Sequence, residues 1–407
     1  MKKTNITMIN AIEEVKKEMK NLYNFKIAGY CETDKNASKA YSAIHNVPES
    51  INLRDVAKLN MDKLPYVNVL AGGSPCQDFS KSGKKNGAVW TCLKCGETYN
   101  PLEVHYTQRR FCPHCHSKKI EKTRSSLLVH YLEVLHYTMP NFAIYENVKN
   151  LLSKRFKPLF DMFVAEVEEY GYNVYYKVLN AKDYGIPQNR ERVILIAVRK
   201  DLDNGRFKFP EPVRNGKTIN DLLDDCSGLF SNTDKNVLVD TVISPYVRKN
   251  IERELDDIIR SPKSIYRPNC TSGWNDNQVG IKYSPSLRAS NSNTIVMQTT
   301  DTPTGKKYYI KRLSPCEAYR FMGFDDRDYE NASSVCPKTA IYHQAGNSIV
   351  VDVVYWVLKE LFNSMPYLFE NIRFLHLFSG IGAFEKAFYR VIDEANSTAL
   401  KGGDLLE

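Results

Sequence analysis

The sequence has no long run of apolar residues. No stretch approaches the roughly 18 apolar residues of a membrane-spanning helix, and no apolar core of a secretory signal follows the first residues. Internal repeats and low-complexity segments are also absent. These absences exclude a membrane protein and a repeat protein, and they favour an intracellular protein that stays in the cytoplasm.

A disulfide framework is not expected either, because intracellular thiols stay reduced. The ten cysteines are therefore interpreted as metal ligands, catalytic groups or buried core residues.

The 407 residues, of which 43% are hydrophobic, suffice for two domains or for one large domain with an insertion. A formal net charge of +9 is compatible with a polyanionic partner.

Strands and helices alternate through much of the chain. Apolar, β-branched runs predict strands at 25–30, 67–71 and 193–198, and helical spacing predicts amphipathic helices at 7–22 and 125–136. This alternation predicts an open α/β sheet with helices on both faces.

Composition and hydrophobic periodicity divide the chain into three parts. Regular α/β patterning covers residues 1–211, with a cysteine-rich insertion at 88–122. Residues 212–305 are rich in Asn, Ser, Asp and Thr and lack clear periodicity, which predicts a smaller, irregular domain. The regular pattern returns over 306–407.

Two paired cysteines form the insertion's strongest motif. Cys92-x2-Cys95 and Cys112-x2-Cys115 are separated by sixteen residues, a spacing typical of a zinc ribbon. His114 and His116 are alternative ligands for the fourth position. A site with four protein ligands is closed, so its zinc is expected to be structural.

The role of this predicted ribbon has two interpretations. It could only stiffen a loop, or it could contact nucleic acid through nearby cations. The candidate cations are Lys84, Lys85, Arg109, Arg110, Lys118 and Lys119.

Two further motifs fall at predicted strand ends, the edge where ligands bind in open α/β sheets. Cys76 follows the strand at 67–71, and the turn Gly380-x-Gly382 follows an apolar strand at the end of the chain. In nucleotide-like sites the next strand ends in an acidic residue that binds ribose hydroxyls. Here the first strand of the chain supplies Glu32, so the order of the segments predicts a circular permutation.

Six blocks of the chain closely resemble those of the DNA cytosine-5 methyltransferases, in rotated order. They are spread over nearly the whole chain, and 212–305 and the cysteine insertion match no shared pattern. The blocks are Pro75-Cys76-Gln77, Glu146-Asn147-Val148, Gln188–Arg192, Arg312–Phe324, Gln344–Ser348 and Phe378–Gly382.

The chemistry of cytosine methylation fits these residues. Because C5 is a poor nucleophile, a thiolate must first add to C6, and Cys76 is the candidate beside Gln77. Glu146 would hydrogen-bond or protonate N3, which requires a raised pKa. The resemblance implies that Arg192 polarises O2 with support from Arg190, and that the base is flipped out of the duplex.

The resemblance also implies an S-adenosylmethionine-dependent methyltransferase fold, a Rossmann-like doubly wound sheet. Many members have Asp where this chain has His376, which is interpreted as a core strand position. The implied cofactor contacts are Phe378 against the adenine, the backbone of Gly380 and Gly382, Glu32 on the ribose hydroxyls, Asp55 at the adenine amino group, and Asn347 and Ser348 near the methionine carboxylate.

The resulting prediction is a sequence-specific methyltransferase of double-stranded DNA. Residues 1–211 and 306–407 would form the catalytic domain, and 212–305 the target-recognition domain. We expect a bacterial or phage-encoded monomer, with a cognate restriction endonuclease as a candidate partner. Two alternatives are a tRNA cytosine-5 methyltransferase and a non-catalytic DNA-binding protein that uses the zinc ribbon.

Overall fold

The computed structural model describes residues 23–75, 89–122, 127–213, 215–225, 237–240, 263–267, 278–289, 294–302 and 305–404. The helix predicted at 7–22 lies outside these residues. So do Cys76, Gln77, Lys84 and Lys85. No described helix is both long and apolar enough to cross a membrane.

Strands and helices alternate as the sequence predicts. In chain order the strands are β1 (Phe25–Cys31), β2 (Val69–Gly72), β3 (Trp90–Cys92), β4 (Thr98–Tyr99), β5 (Ile120–Lys122), β6 (Phe142–Val148), β7 (Tyr172–Asn180), β8 (Gln188–Asn189), β9 (Glu191–Arg199), β10 (Val237–Asp240), β11 (Lys263–Arg267), β12 (Gln278–Gly280), β13 (Ser284–Pro285), β14 (Ile295–Thr302), β15 (Gly305–Arg312) and β16 (Ile372–Leu377). The helices are α1 (Lys35–His45), α2 (Leu127–Thr138), α3 (Lys157–Glu169), α4 (Pro315–Arg320), α5 (Asp326–Val335), α6 (Lys338–Asn347), α7 (Val351–Ser364) and α8 (Ala383–Asp404).

The main sheet has six strands in the order β1-β16-β2-β6-β9-β7. The first four strands run parallel, whereas β9 pairs antiparallel with both β6 and β7. Strand β16, near the end of the sequence, lies between β1 and β2: Phe374 pairs with Ile27 on one side and with Val69 on the other. A strand from the end of the sequence therefore lies inside the sheet.

Helices cover both faces of this sheet. Alternate side chains of β2 point to opposite faces, so Val69 belongs to one buried cluster and Leu70 to another. The Val69 cluster includes residues of α7 and α8, and the Leu70 cluster includes residues of α2 and α3. This is the doubly wound arrangement that the sequence predicts, and it leaves the carboxyl ends of the parallel strands together at one edge.

A second, five-stranded sheet has the order β10-β15-β14-β11-β12. Four of its strands, β10, β11, β12 and β14, lie within residues 212–305, where the sequence has no clear periodicity. A strand as short as β12, or one with Lys residues on both faces such as β15, gives no clear two-residue period. The sheet also continues past the predicted boundary at 305, because β15 pairs with β14 along its length up to Arg312.

Candidate functional site

A cavity of about 660 Å³ opens at the carboxyl edge of the main sheet. Residues that follow β1, β2 and β16 line it together with the C-terminal end of α6. Pro75, the last described residue before Cys76, lies in its wall. The predicted site residues that line the cavity are Glu32, Asp55, Glu146, Arg190, Arg192, Asn347, Ser348, Phe378 and Gly380.

Glu146 lies within β6, which continues to Val148. Its Oε1 is 3.0 Å from Nε of Arg192, a neighbour on β9. Burial raises the pKa of Glu146, although Arg192 and Arg190 oppose this change. The site therefore holds a carboxyl group that is biased towards the protonated form and faces a cavity.

Gly73 follows β2 and lies directly against Glu146. A Cβ at this position would approach the backbone oxygen of Glu146 to 2.9 Å and its Oε2 to 3.0 Å, distances that a real side chain cannot adopt. The segment leading to Cys76 therefore starts in contact with the carboxyl group, and only glycine permits this approach.

The second arginine of the block, Arg190, has a different environment. Its Nη1 donates to the backbone oxygen of Leu287 at 2.9 Å, and its Nη2 donates to that of Ser348 at 2.7 Å. Gln188 also joins the two regions, because its Nε2 donates to the oxygen of Phe321 and its Oε1 accepts from Leu287 N. Arg190 thus holds the residues after β13 and α6 against the main sheet, whereas Arg192 contacts Glu146.

The turn after β16 connects to β1 through Glu32. The Oε2 atom of Glu32 accepts a hydrogen bond from Gly380 N at 2.9 Å, and its Oε1 accepts one from Asp34 N at 2.8 Å. Burial raises the pKa of Glu32, while these N–H groups lower it. The turn after β16 therefore contacts the residue that follows β1. Phe378 enters this turn with a left-handed φ of 59°.

Gly382 lies apart from the cavity wall. Its φ is +82°, and a Cβ there would come within 2.0 Å of Nε2 of His45. This glycine therefore permits close packing of the turn on α1. It was predicted to approach the cofactor.

Three other predicted cofactor residues, Asp55, Asn347 and Ser348, also line the cavity. Asp55 accepts from Ala57 N at 3.0 Å and caps the short 3₁₀ helix Val56–Lys58. Asn347 is the last residue of α6, and its Nδ2 is 3.2 Å from Nε2 of His343. Ser348 follows and lines the same cavity.

Sequence reasoning missed several cavity residues, because no motif marks them. Lys122, at the end of β5, lines the cavity, and its Nζ lies 4.5 Å from the ring centre of Trp90. His130 on α2 also lines it and pairs with Glu133 at 2.7 Å. The end of the cysteine insertion therefore contributes to the cavity wall, which its spacing alone could not indicate.

The four predicted metal ligands converge. The sulfur atoms of Cys92, Cys95, Cys112 and Cys115 all lie within 4.8 Å of one another. Zinc–sulfur bonds of about 2.3 Å in a tetrahedron place the sulfurs about 3.8 Å apart, and the Cys92–Cys115 and Cys95–Cys112 sulfurs are 3.5 and 3.7 Å apart. This donor set fits one zinc ion, without the alternative ligands His114 and His116.

The insertion packs on the catalytic domain. Arg109 is buried, and its Nη1 donates to Oε1 of Glu166 on α3 at 2.6 Å while its Nη2 donates to Oε2. Tyr170 donates to the same carboxylate, and the ring of Tyr106 lies 5.0 Å from that of Tyr170. The interpretation of Arg109 as a nucleic-acid contact is therefore wrong, because a buried, paired guanidinium cannot reach a phosphate. Arg110, Lys118 and Lys119 are exposed.

An open α/β sheet with a deep cavity at its carboxyl edge, a glycine turn and an acidic strand end defines a nucleotide-binding enzyme fold. Comparison with known proteins is more specific. The model of the C-5 cytosine-specific DNA methylase family matches residues 8–91 and 111–363, so the chain belongs to this family. Members of this family use S-adenosylmethionine. The matched ranges leave out most of the cysteine insertion and all of β16 with its glycine turn.

Curated relatives agree with this assignment, and a solved structure agrees with the fold. An orphan methyltransferase of Bacillus phage SPbeta is 26% identical over 84% of this chain and 93% of its own length. A type II methyltransferase of Lactococcus lactis subsp. cremoris is 32% identical over 77% of this chain and 71% of its own length. A methyltransferase structure from Entamoeba histolytica has a TM-score of 0.51 at 14% identity, covering 86% of this chain and 95% of that one, and supports the fold alone.

Proposed function

We propose that this member of the family methylates C5 of cytosine within a short target sequence of double-stranded DNA, with Cys76 as the covalent catalyst. The observation that carries this mechanism is the pair of Glu146 and Arg192. A buried carboxyl with a raised pKa and a guanidinium 3.0 Å away face one cavity, beside the segment that leads to Cys76.

The chemistry divides between three side chains. The Cys76 thiolate adds to C6 of the flipped cytosine, and Glu146 donates a proton or hydrogen bond to N3 as electrons move into the ring. Arg192 stabilises the charge that develops at O2. S-adenosylmethionine, when bound, supplies an electrophilic methyl group to C5. A base such as water then takes the C5 proton, the Cys76 sulfur leaves C6, and the N3 proton returns to Glu146, which restores the aromatic ring.

The cofactor pocket combines the residues around the glycine turn. Glu32 would bind the ribose hydroxyls, Phe378 and Asp55 the adenine, and Asn347 and Ser348 the methionine end. The buried Ser379 hydroxyl has no hydrogen-bond partner among the described residues, which suits a site that a polar ligand completes.

The order of the segments supports a circular permutation. Strand β16 lies inside the sheet although it comes last, and its turn meets Glu32 of β1. The family match ends at residue 363, before this strand. We infer that the cofactor-binding segment, which usually opens the sequence, was moved to its end.

The remaining parts extend this proposal. The four cysteines would bind one structural zinc ion. The second sheet would carry target recognition, and its extent moves the predicted boundary at 305 to about residue 312. Monomeric state, an intracellular location and a cognate restriction endonuclease stay predictions.

Methylation mapping tests the function. The chain and its Cys76→Ser variant would be expressed in a host without cytosine methylation, and the DNA would be sequenced after bisulfite treatment. We expect protected cytosines within one short motif for the unchanged chain and none for the variant. Unmethylated DNA from soluble, zinc-loaded protein would contradict the proposal and favour an RNA substrate or a purely binding role.

A further inference from the structure

The charged residues of the cysteine insertion fall into two groups. One group packs on the catalytic domain, as Arg109 does when it pairs with Glu166 on α3. The other group is exposed and forms a basic patch of Lys94, Arg110, Lys118 and Lys119. No described residue forms an ion pair with any of these four side chains. The insertion is therefore fixed to the domain by one buried cation and presents four free ones to solvent.

The two cysteine pairs bring these cations together. Leu93, inside the first pair, donates its N–H to the backbone oxygen of Lys119 at 2.8 Å. The Nζ atom of Lys118 lies 5.5 Å from the ring centre of Phe111, which follows Arg110 and precedes the second pair. Like charges held close to one another repel, and a bound polyanion removes this repulsion. The basic patch therefore suits a row of phosphates better than a single small anion.

Strand β5 connects the basic patch to the large cavity. The strand begins directly after Lys119 and ends at Lys122, which lines the cavity. At about 3.3 Å per residue, the Cα atoms of Lys119 and Lys122 are about 10 Å apart. Successive phosphates of one DNA strand advance about 3.4 Å along the helix axis, so this distance corresponds to about three base pairs. A duplex that places one base in the cavity would therefore bring its backbone to the patch.

We propose that the basic patch binds phosphates of the DNA backbone a few base pairs from the target base. The cysteine insertion is then a DNA-binding unit in addition to a folded support. This inference rests on the proposed function and deepens it, because it assigns a substrate contact to an insertion whose residues 92–110 lie outside the family match. Contacts to phosphates carry no sequence information directly, so the second sheet keeps the role of target recognition.

Two double variants of the full, zinc-loaded chain isolate this contact. The patch variant, Lys118→Gln with Lys119→Gln, removes two charges and keeps all four cysteines. The control variant, Lys26→Gln with Lys200→Gln, removes the same charge from exposed positions at the opposite edge of the main sheet, where β1 begins and β9 has ended. Affinity would be measured at several salt concentrations for a duplex with the mapped target and for one with that target scrambled.

We expect the patch variant to bind both duplexes more weakly by the same factor, about tenfold at 0.1 M salt. The slope of log affinity against log salt should decrease in magnitude by about 1.8, because each neutralised phosphate contributes about 0.9. The control variant should stay within about twofold of the unchanged chain, since salt screens distant charges. Zinc content and S-adenosylhomocysteine binding should be unchanged in both. If the patch variant loses zinc, Lys94→Gln with Arg110→Gln provides the same comparison.

The outcomes separate this inference from the proposed function. Equal affinities and equal salt slopes for the patch and control variants would overturn the inference, while bisulfite mapping of the unchanged chain would still test the proposed function. A loss confined to the target duplex would also overturn it, because that pattern indicates base contacts. Failure of the unchanged chain to bind any duplex would overturn both. A loss shared by both duplexes, with a reduced salt slope and intact zinc, supports the phosphate contact.

Discussion

The cavity and the base of the cysteine insertion each contain a buried glutamate paired with an arginine. The two glutamates differ in the number of hydrogen-bond donors that reach the carboxylate. Glu166 accepts from both Nη atoms of Arg109 and from the hydroxyl of Tyr170. Among the described residues, the ion-pair partner of Glu146 is Arg192, through Nε, and Glu146 lines a cavity. The first carboxylate is saturated with donors, whereas the second retains capacity for a proton or a ligand.

This difference separates a structural pair from a reactive one. Removing one member of a saturated buried pair leaves the other charge without compensation, which is costly to the fold. A buried carboxyl with few donors is instead destabilised in its ionised form, so its pKa rises and it can act as an acid. Glu166 should therefore matter for stability and Glu146 for catalysis.

The largest expected effect follows Glu146→Gln. The amide cannot donate an acidic proton to N3, so kcat should fall by about 10²–10⁴-fold, the range typical of general acid–base groups. Binding of S-adenosylhomocysteine should be preserved. Single-turnover methylation of a duplex with the mapped target sequence measures the chemical step.

Glu191→Gln is the matched control for this variant. Glu191 lies on β9 next to Arg192, but it is exposed and pairs with Lys149 at 2.8 Å. Its replacement should change kcat little. A Glu146→Gln enzyme with nearly normal kcat would remove Glu146 from the proposed chemistry.

Glu166→Gln should act on the fold. Arg109 would keep hydrogen-bond acceptors but lose its counter-charge, so the free energy of unfolding should fall by about 3 kcal/mol, as for other broken buried pairs. Denaturant unfolding measures this loss, while metal analysis should still find one zinc per folded chain. At temperatures where the variant is folded, kcat should be almost unchanged.

Glu169→Gln gives the comparison for stability. Glu169 lies on the same helix and pairs with His105 at 3.0 Å, but both side chains are about half exposed. Such exposed pairs contribute little. A stability loss for Glu166→Gln no larger than that of Glu169→Gln would contradict the structural role. A parallel loss of kcat would couple the insertion to catalysis.

The sequence identifies the site residues that depend on local pattern. Glu32 follows an apolar strand, and the cysteine pairs have fixed short spacings, so each could be predicted without tertiary information. The Arg109–Glu166 pair joins residues that are 57 positions apart. The His376–Glu385 contact spans a turn whose left-handed geometry no pattern specifies.

The polar residues of the second sheet and of the cysteine insertion explain what the sequence analysis did not predict. The sequence predicts strands well where they are buried on both faces, as in β2 and β9. The strands of the second sheet contain polar residues without regular alternation, so their pairing depends on contacts between distant segments. Arg109 likewise carries the charge of a surface residue, and only the fold shows that Glu166 compensates it.

The smallest expected effect concerns the pH dependence of stability at Glu146. Since burial raises the pKa of Glu146 in the folded chain, the native state binds more protons than the unfolded state between the ordinary glutamate pKa and the raised one. In that interval stability must fall as pH rises. Urea unfolding at a series of pH values above 4.5 should therefore show that the stability of the unchanged chain falls relative to Glu146→Gln. A difference that stays constant or grows with pH would mean that Glu146 is held ionised, as a saturated carboxylate would be, and the contrast with Glu166 would disappear.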